Sequence, residues 1–79
     1  MKVVECLWED AFIDTSDMKL KKARKLRPVV RSTIGYLVSD NKDCLILATD
    51  KFKKGNHISA PMVIPKGMIL EYWEYEDVS

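Results

Sequence analysis

The side chains able to carry out chemistry are few and widely spaced. A single histidine, His57, stands in a lysine-rich segment with Lys51, Lys53 and Lys54. An imidazole serves as acid and base only when a second group shares the proton, and no such partner adjoins it in the sequence. Cys6 and Cys44 each sit among apolar residues, and their spacing with His57 matches no zinc signature. Two cysteines do not make the dense disulfide framework of a secreted mini-protein, so both are expected as free thiols. No glycine-rich phosphate loop and no nucleophile motif is present. The expectation is a protein that binds rather than catalyses, with no catalytic residue, no metal and no cofactor.

Charge is the stronger signal. Thirteen basic and twelve acidic residues leave a net charge of +1, but the two signs are segregated. Lys19, Lys21, Lys22, Arg24, Lys25, Arg27 and Arg31 cluster early, whereas Glu71, Glu74, Glu76 and Asp77 crowd the end. A basic run of this density neutralises phosphates by releasing counterions, and it serves equally as a solubilising face. Tyr36, Tyr72, Trp73 and Tyr75 offer flat faces for stacking or for core packing. Tyr72 and Trp73 are adjacent, so in a strand they point to opposite faces and one of them leaves its own core.

The elements that must position these groups follow from periodicity. Seventy-nine residues, 47% hydrophobic and 32% charged, make one small domain, residues 1–79, rather than a disordered chain. Val4, Cys6 and Trp8 alternate along a first strand, and Trp8 is expected to anchor the core. Asp14-Thr15-Ser16-Asp17 supplies helix-starting residues before a short basic helix or loop over Met18 to Arg27, closed by Pro28. In a helix Leu20, Ala23 and Leu26 would share a side.

Beyond Pro28, residues 29–38 form the longest β-prone run, where Val30, Ile34, Tyr36 and Val38 can share a face and Gly35 marks a bend or bulge. A turn at Ser39 to Asp43 leads into Cys44 to Ala48, apolar on both faces, and these two strands are expected to form a hairpin. The charged segment Asp50 to His57, with Gly55-Asn56 as turn signal, precedes Ile58 to Ile64, where Pro61 argues for an edge strand. Ile64-Pro65-Lys66-Gly67 breaks the chain before a last strand, Met68 to Trp73.

These elements describe a mainly β fold, a small five-stranded SH3-like or Sm-like barrel with one short basic helix or loop between strands 1 and 2. An OB-type barrel is the second choice. No apolar run reaches the length of a membrane span, and acidic residues follow the first methionine too soon for a signal peptide, so a cytoplasmic protein is expected.

Trp8-Glu9-Asp10-Ala11, Gly35-Tyr36-Leu37-Val38 and Ile64-Pro65-Lys66-Gly67 together resemble a group of short phage-encoded proteins with Sm-like barrels. Ile64 to Leu70 also looks like the second Sm motif, with Pro65 inserted, and the turn at Asp40-Asn41 resembles the other Sm loop. The resemblance implies a homo-oligomer with a nucleotide-type or nucleic-acid ligand at subunit junctions. The ligand-binding residues it implies are Asn41, Lys42, Lys66 and Gly67, joined by the Lys53-Lys54 loop and by Arg31 from the basic run. No aromatic residue stands beside Asn41, which departs from usual Sm-type RNA recognition.

The functional expectation is a phage or mobile-element accessory protein, acting in the host cytoplasm, that sequesters a nucleotide-type anionic signal of host defence. The defence role comes from the resemblance alone. Two alternatives belong to other classes: a ring-forming binder of RNA or single-stranded DNA, and a module that docks on a host protein through its edge strand.

Overall fold

The computed structural model describes residues 1–76; Asp77, expected within the acidic cluster, lies outside the described residues. Strand β1 (Val3–Asp10) is followed by a long excursion carrying one helical turn, α1 (Leu20–Ala23), and then by β2 (Val29–Asp40). Next come β3 (Cys44–Ala48), the short β4 (Asp50–Lys51) and β5 (Ile58–Ser59), and β6 (Met62–Pro65). A 3₁₀ turn, Lys66–Met68, leads directly into β7 (Ile69–Glu74).

Five strands form one antiparallel sheet in the order β6-β3-β2-β1-β7, while β4 and β5 pair separately. The alternation seen in β1 sets the core. Val4, Cys6 and Trp8 are buried with Leu45, Leu47 and Ile64, and Leu37, Ile69 and Tyr72 pack against them. Trp8 combines burial with a hydrogen bond, its indole Nε1 donating to Thr33 Oγ1 at 2.9 Å. Burial also raises the Cys6 thiol above its ordinary pKa.

β2 is the spine. Its first part, Val29–Tyr36, pairs with β1 in unbroken register, and its second part pairs with β3 from Tyr36 onward. The strands cross near Gly35, where an added Cβ would lie 2.7 Å from the Ala48 carbonyl oxygen and 3.2 Å from Leu47 Cβ. Only glycine allows that approach. The register then shifts between Leu37 and Ser39, so the bend expected around Gly35 is made by a close crossing followed by a bulge.

The expectation of a closed barrel does not hold. Among the described residues β6 pairs only with β3 and β7 only with β1, so the sheet is open and no described strand pairs with the outer edges of these two. Pro65 closes β6 and Pro61 precedes it, removing two amide donors from that edge. The expected strand from Ile58 to Ile64 is broken at Ala60, with φ of 49°, and only its second part, β6, takes the expected edge position; the expected β2–β3 hairpin is observed. The basic helix is reduced to one turn, α1, which buries no side chain, and Leu20 remains 64% exposed. Asp14 accepts hydrogen bonds from the Ser16 amide and hydroxyl in a local turn and does not cap the helix.

Candidate functional site

Residues expected to bind a ligand fall into three places. The turn after β2 and the 3₁₀ turn before β7 do come together, bringing Asn41, Lys42, Lys66 and Gly67 onto one loop pair. The polar side chains of Asn41 and Lys66 are occupied within the fold. Asn41 Oδ1 accepts from the amides of Asp43 and Cys44 at 2.9 and 3.0 Å, which shapes the turn. The Lys66 amide donates to the Asp43 carbonyl at 2.9 Å, joining the two loops.

The Lys66 side chain completes the closure. Its Nζ donates to Asp40 Oδ1 at 2.6 Å, lies 3.4 Å from the Tyr72 hydroxyl oxygen and stands 5.3 Å from the Tyr72 ring centre. The Tyr72 hydroxyl donates to the other Asp40 oxygen at 3.0 Å. Lys66, with help from Tyr72, holds the Asp40 carboxyl below its usual range, and Asp40 raises Lys66. This is a clamp between the end of β2 and the start of β7. Lys42 and Gly67 are exposed beside it, and Gly67 has open space where a side chain would stand.

Arg31 lies toward the other end of β2, opposite Trp8, with its Nε 2.7 Å from Asp10 Oδ2. It is separated from the Asn41 turn by most of the strand and already has a carboxylate.

Lys53 and Lys54 occupy the third place, the hairpin loop between β4 and β5. This lies past the far end of β3 from the Asn41 turn, about 15 Å away along the strand. The hairpin is short because the intervening residues cannot continue alternation: Gly55 takes a left-handed φ of 81° and turns the chain. The Phe52 amide donates to the His57 carbonyl at 3.0 Å, closing the loop, and the two rings stand 6.1 Å apart at 50°. Lys51 places its ammonium 5.4 Å from the Tyr36 ring centre, tying the hairpin to the sheet.

The loop encloses a cleft of about 300 Å³ lined by Met1, Lys51, Phe52, Lys53, Gly55, Asn56, His57 and Ile58. This is the low end of the range for small-molecule sites. Cationic or amide donors come from Lys53, Asn56 and His57, the flat apolar wall from Phe52, and among the described residues no carboxylate lines the cleft. Such a lining favours an anion with a planar part.

Sequence reasoning included Lys53 and Lys54, of which only Lys53 lines the cleft, and noted Lys51 and His57 as charges, but missed Phe52 and Asn56 as walls. The available signal was the run Phe52 to His57, in which two aromatic rings bracket two lysines and a Gly-Asn turn. Among the described residues no group of three or more His, Cys, Asp or Glu is placed to hold a metal ion. Cys6 and Cys44 are free thiols, and no helix among the described residues is long and apolar enough to cross a membrane. No protein-family model, curated protein or solved structure matches the chain.

Proposed function

We propose that the chain is a non-enzymatic binding protein that takes a nucleotide-type anion into the cleft of the β4–β5 hairpin. The observation that carries this reading is the lining of that cleft, which Lys53, Asn56 and His57 share with the Phe52 ring and to which no carboxylate among the described residues contributes. Phosphate oxygens would meet the donors and a base would lie against Phe52. The clamp at Asp40, Lys66 and Tyr72 is less suited to a ligand, because its ammonium is already engaged.

The proposed fold type is an opened-out SH3-like or Sm-like small barrel. Its support is the placement of β1 between β2 and the last strand, the tight crossing at Gly35, and the 3₁₀ turn joining the two outer strands. The resemblance to short phage-encoded small-barrel proteins supplies the proposed setting. There the ligand is a signal of host defence, and the protein withholds it unchanged.

The test is equilibrium dialysis against linear and cyclic nucleotides, followed by denaturation and chromatography of the released material. The expected result is saturable binding, quantitative recovery of intact nucleotide, and loss of binding in a Lys53→Glu, His57→Ala variant. Nucleotide product in excess over protein would mark an enzyme, and equal binding by the variant would move the site elsewhere. An extended nucleic-acid ligand would instead give affinity falling steeply with salt.

A further inference from the structure

Residues 11–28, the excursion between β1 and β2, project from the sheet as an arm. Its one helical turn buries no side chain, and Ile13 and Leu20 are 87% and 64% exposed. The radius of gyration is 16.0 Å, against about 12 Å for a compact chain of this length. The longest dimension is 53 Å, more than the roughly 40 Å that β2 can span. Phe12 and Leu26 line a shallow hollow at the arm's base, where its two limbs meet.

The arm is basic and apolar together. Its second limb, residues 18–28, contains lysines, arginines and apolar residues but no carboxylate, while Asp14 and Asp17 stand in the first limb. The face of the sheet turned away from the core has the opposite character. With Val4, Cys6 and Trp8 pointing inward, the strand register sets Glu5, Leu7 and Glu9 on the outer face beside Ile34, Glu71 and Trp73. The outward positions of β1, β7 and the part of β2 paired to β1 hold no lysine or arginine. Glu9 and Glu71 are exposed there, and Ile34 is 58% exposed.

We propose that the arm of one chain docks on this outer face of a second copy, giving a symmetric dimer in which each arm crosses to the other subunit. Lys21, Lys22 and Lys25 would meet Glu9 and Glu71, while Leu20 and Ile13 would cover Leu7 and Ile34. A second copy is the occupant because the chain carries both halves of a complementary pair and holds them apart. A twofold axis satisfies both halves at once. The proposal does not depend on the ligand reading, since neither the arm nor the outer face lines the hairpin cleft.

Light scattering and sedimentation at micromolar concentration test it. The expected mass is twice the 9.1 kDa of the chain, dissociating as salt is raised. A Lys21→Glu, Lys22→Glu, Lys25→Glu variant should run at the single-chain mass, as should a Glu9→Lys, Glu71→Lys variant. Mixing the two should restore the double mass, because each arm then faces a complementary surface. A single-chain mass for the unaltered protein overturns the proposal, and its salt titration needs no variant to fold. Retention of the double mass by the charge-reversed variants also overturns it, as does a monomeric protein whose arm binds an RNA oligonucleotide.

Discussion

Two regions of the molecule gather lysine beside an aromatic ring, and they do opposite things. At the end of β2, Lys66 lies against Tyr72 with Asp40 bonded to both. At the β4–β5 hairpin, Lys53 and His57 line a cleft with Phe52, and no carboxylate among the described residues joins them. The carboxylate makes the difference. A cation with an acidic partner inside the fold is already satisfied, so a ligand phosphate would have to displace that partner. Lys53, Asn56 and His57, with no such partner among the described residues, offer their hydrogen bonds outward. Residue type alone therefore does not mark a site; the local balance of donors and acceptors does.

The largest expected effect comes from a position on which both regions depend. Gly35 lies under Ala48, between the strand that ends at the clamp and the residue that leads to the hairpin. Gly35→Ala would press a methyl into the Ala48 carbonyl. Backbone cannot move aside as a flexible side chain can, and overpacking of this kind typically costs about 1–3 kcal/mol. A small domain has little stability to spare. The expected result is a large fall in melting temperature together with loss of ligand binding. An unchanged melting curve would mean that the strands cross elsewhere and that the two regions are not joined through this contact.

Next in size is the separation of binding from stability. Lys53→Ala is expected to weaken anion binding about tenfold, the loss of one charge-assisted contact worth roughly 1.4 kcal/mol, with no change in melting. Lys66→Met is expected to do the reverse, lowering the melting temperature while leaving the dissociation constant near that of the unaltered protein. Calorimetric titration and thermal melting on the same two variants check both. If Lys66→Met abolished binding in a protein that still melts normally, the clamp would be the site and the comparison would invert.

How much of this was legible in the sequence depended on the distance over which partners act. The alternation of Val4, Cys6 and Trp8 is local, and it placed the core face and Trp8 correctly. The same is true of the β2–β3 hairpin, the edge position beside Pro61 and the opposite facing of Tyr72 and Trp73. Closure was not legible. Whether β6 and β7 meet depends on the accumulated twist of the sheet and on bulges such as those at Leu7/Trp8 and Leu37/Ser39, which alternation does not encode. The loop pair carrying Asn41 and Lys66 did come together as the motifs implied, but the role of Lys66 depends on Asp40, 26 positions away. β4 and β5 are two residues each, below the length at which a period can be read.

The smallest expected effect is also the most specific to the clamp, a dependence of stability on pH. Asp40 is held below the usual carboxylate range chiefly by the Lys66 hydrogen bond, so folding favours its ionised form. A group depressed in the folded state contributes stability above its unfolded pKa, and that contribution is lost as pH falls through the folded value. Lys66 is raised, so its share is present below the ordinary lysine value and is lost only as pH rises through the still higher folded one. The clamp is therefore complete across neutral pH and weakens at both acid and strongly alkaline extremes. Melting temperatures measured from neutral to acid pH should fall faster for the unaltered protein than for Asp40→Asn. The gap between the two should close only once pH lies below the depressed folded value, where Asp40 is protonated in both folded and unfolded chains. Because the pair is partly open to water, the difference should shrink as salt is raised. Parallel curves across the whole acid range would mean that Asp40 gains nothing from Lys66. The ammonium would then be free to meet an anion, and the contrast between clamp and cleft would fail.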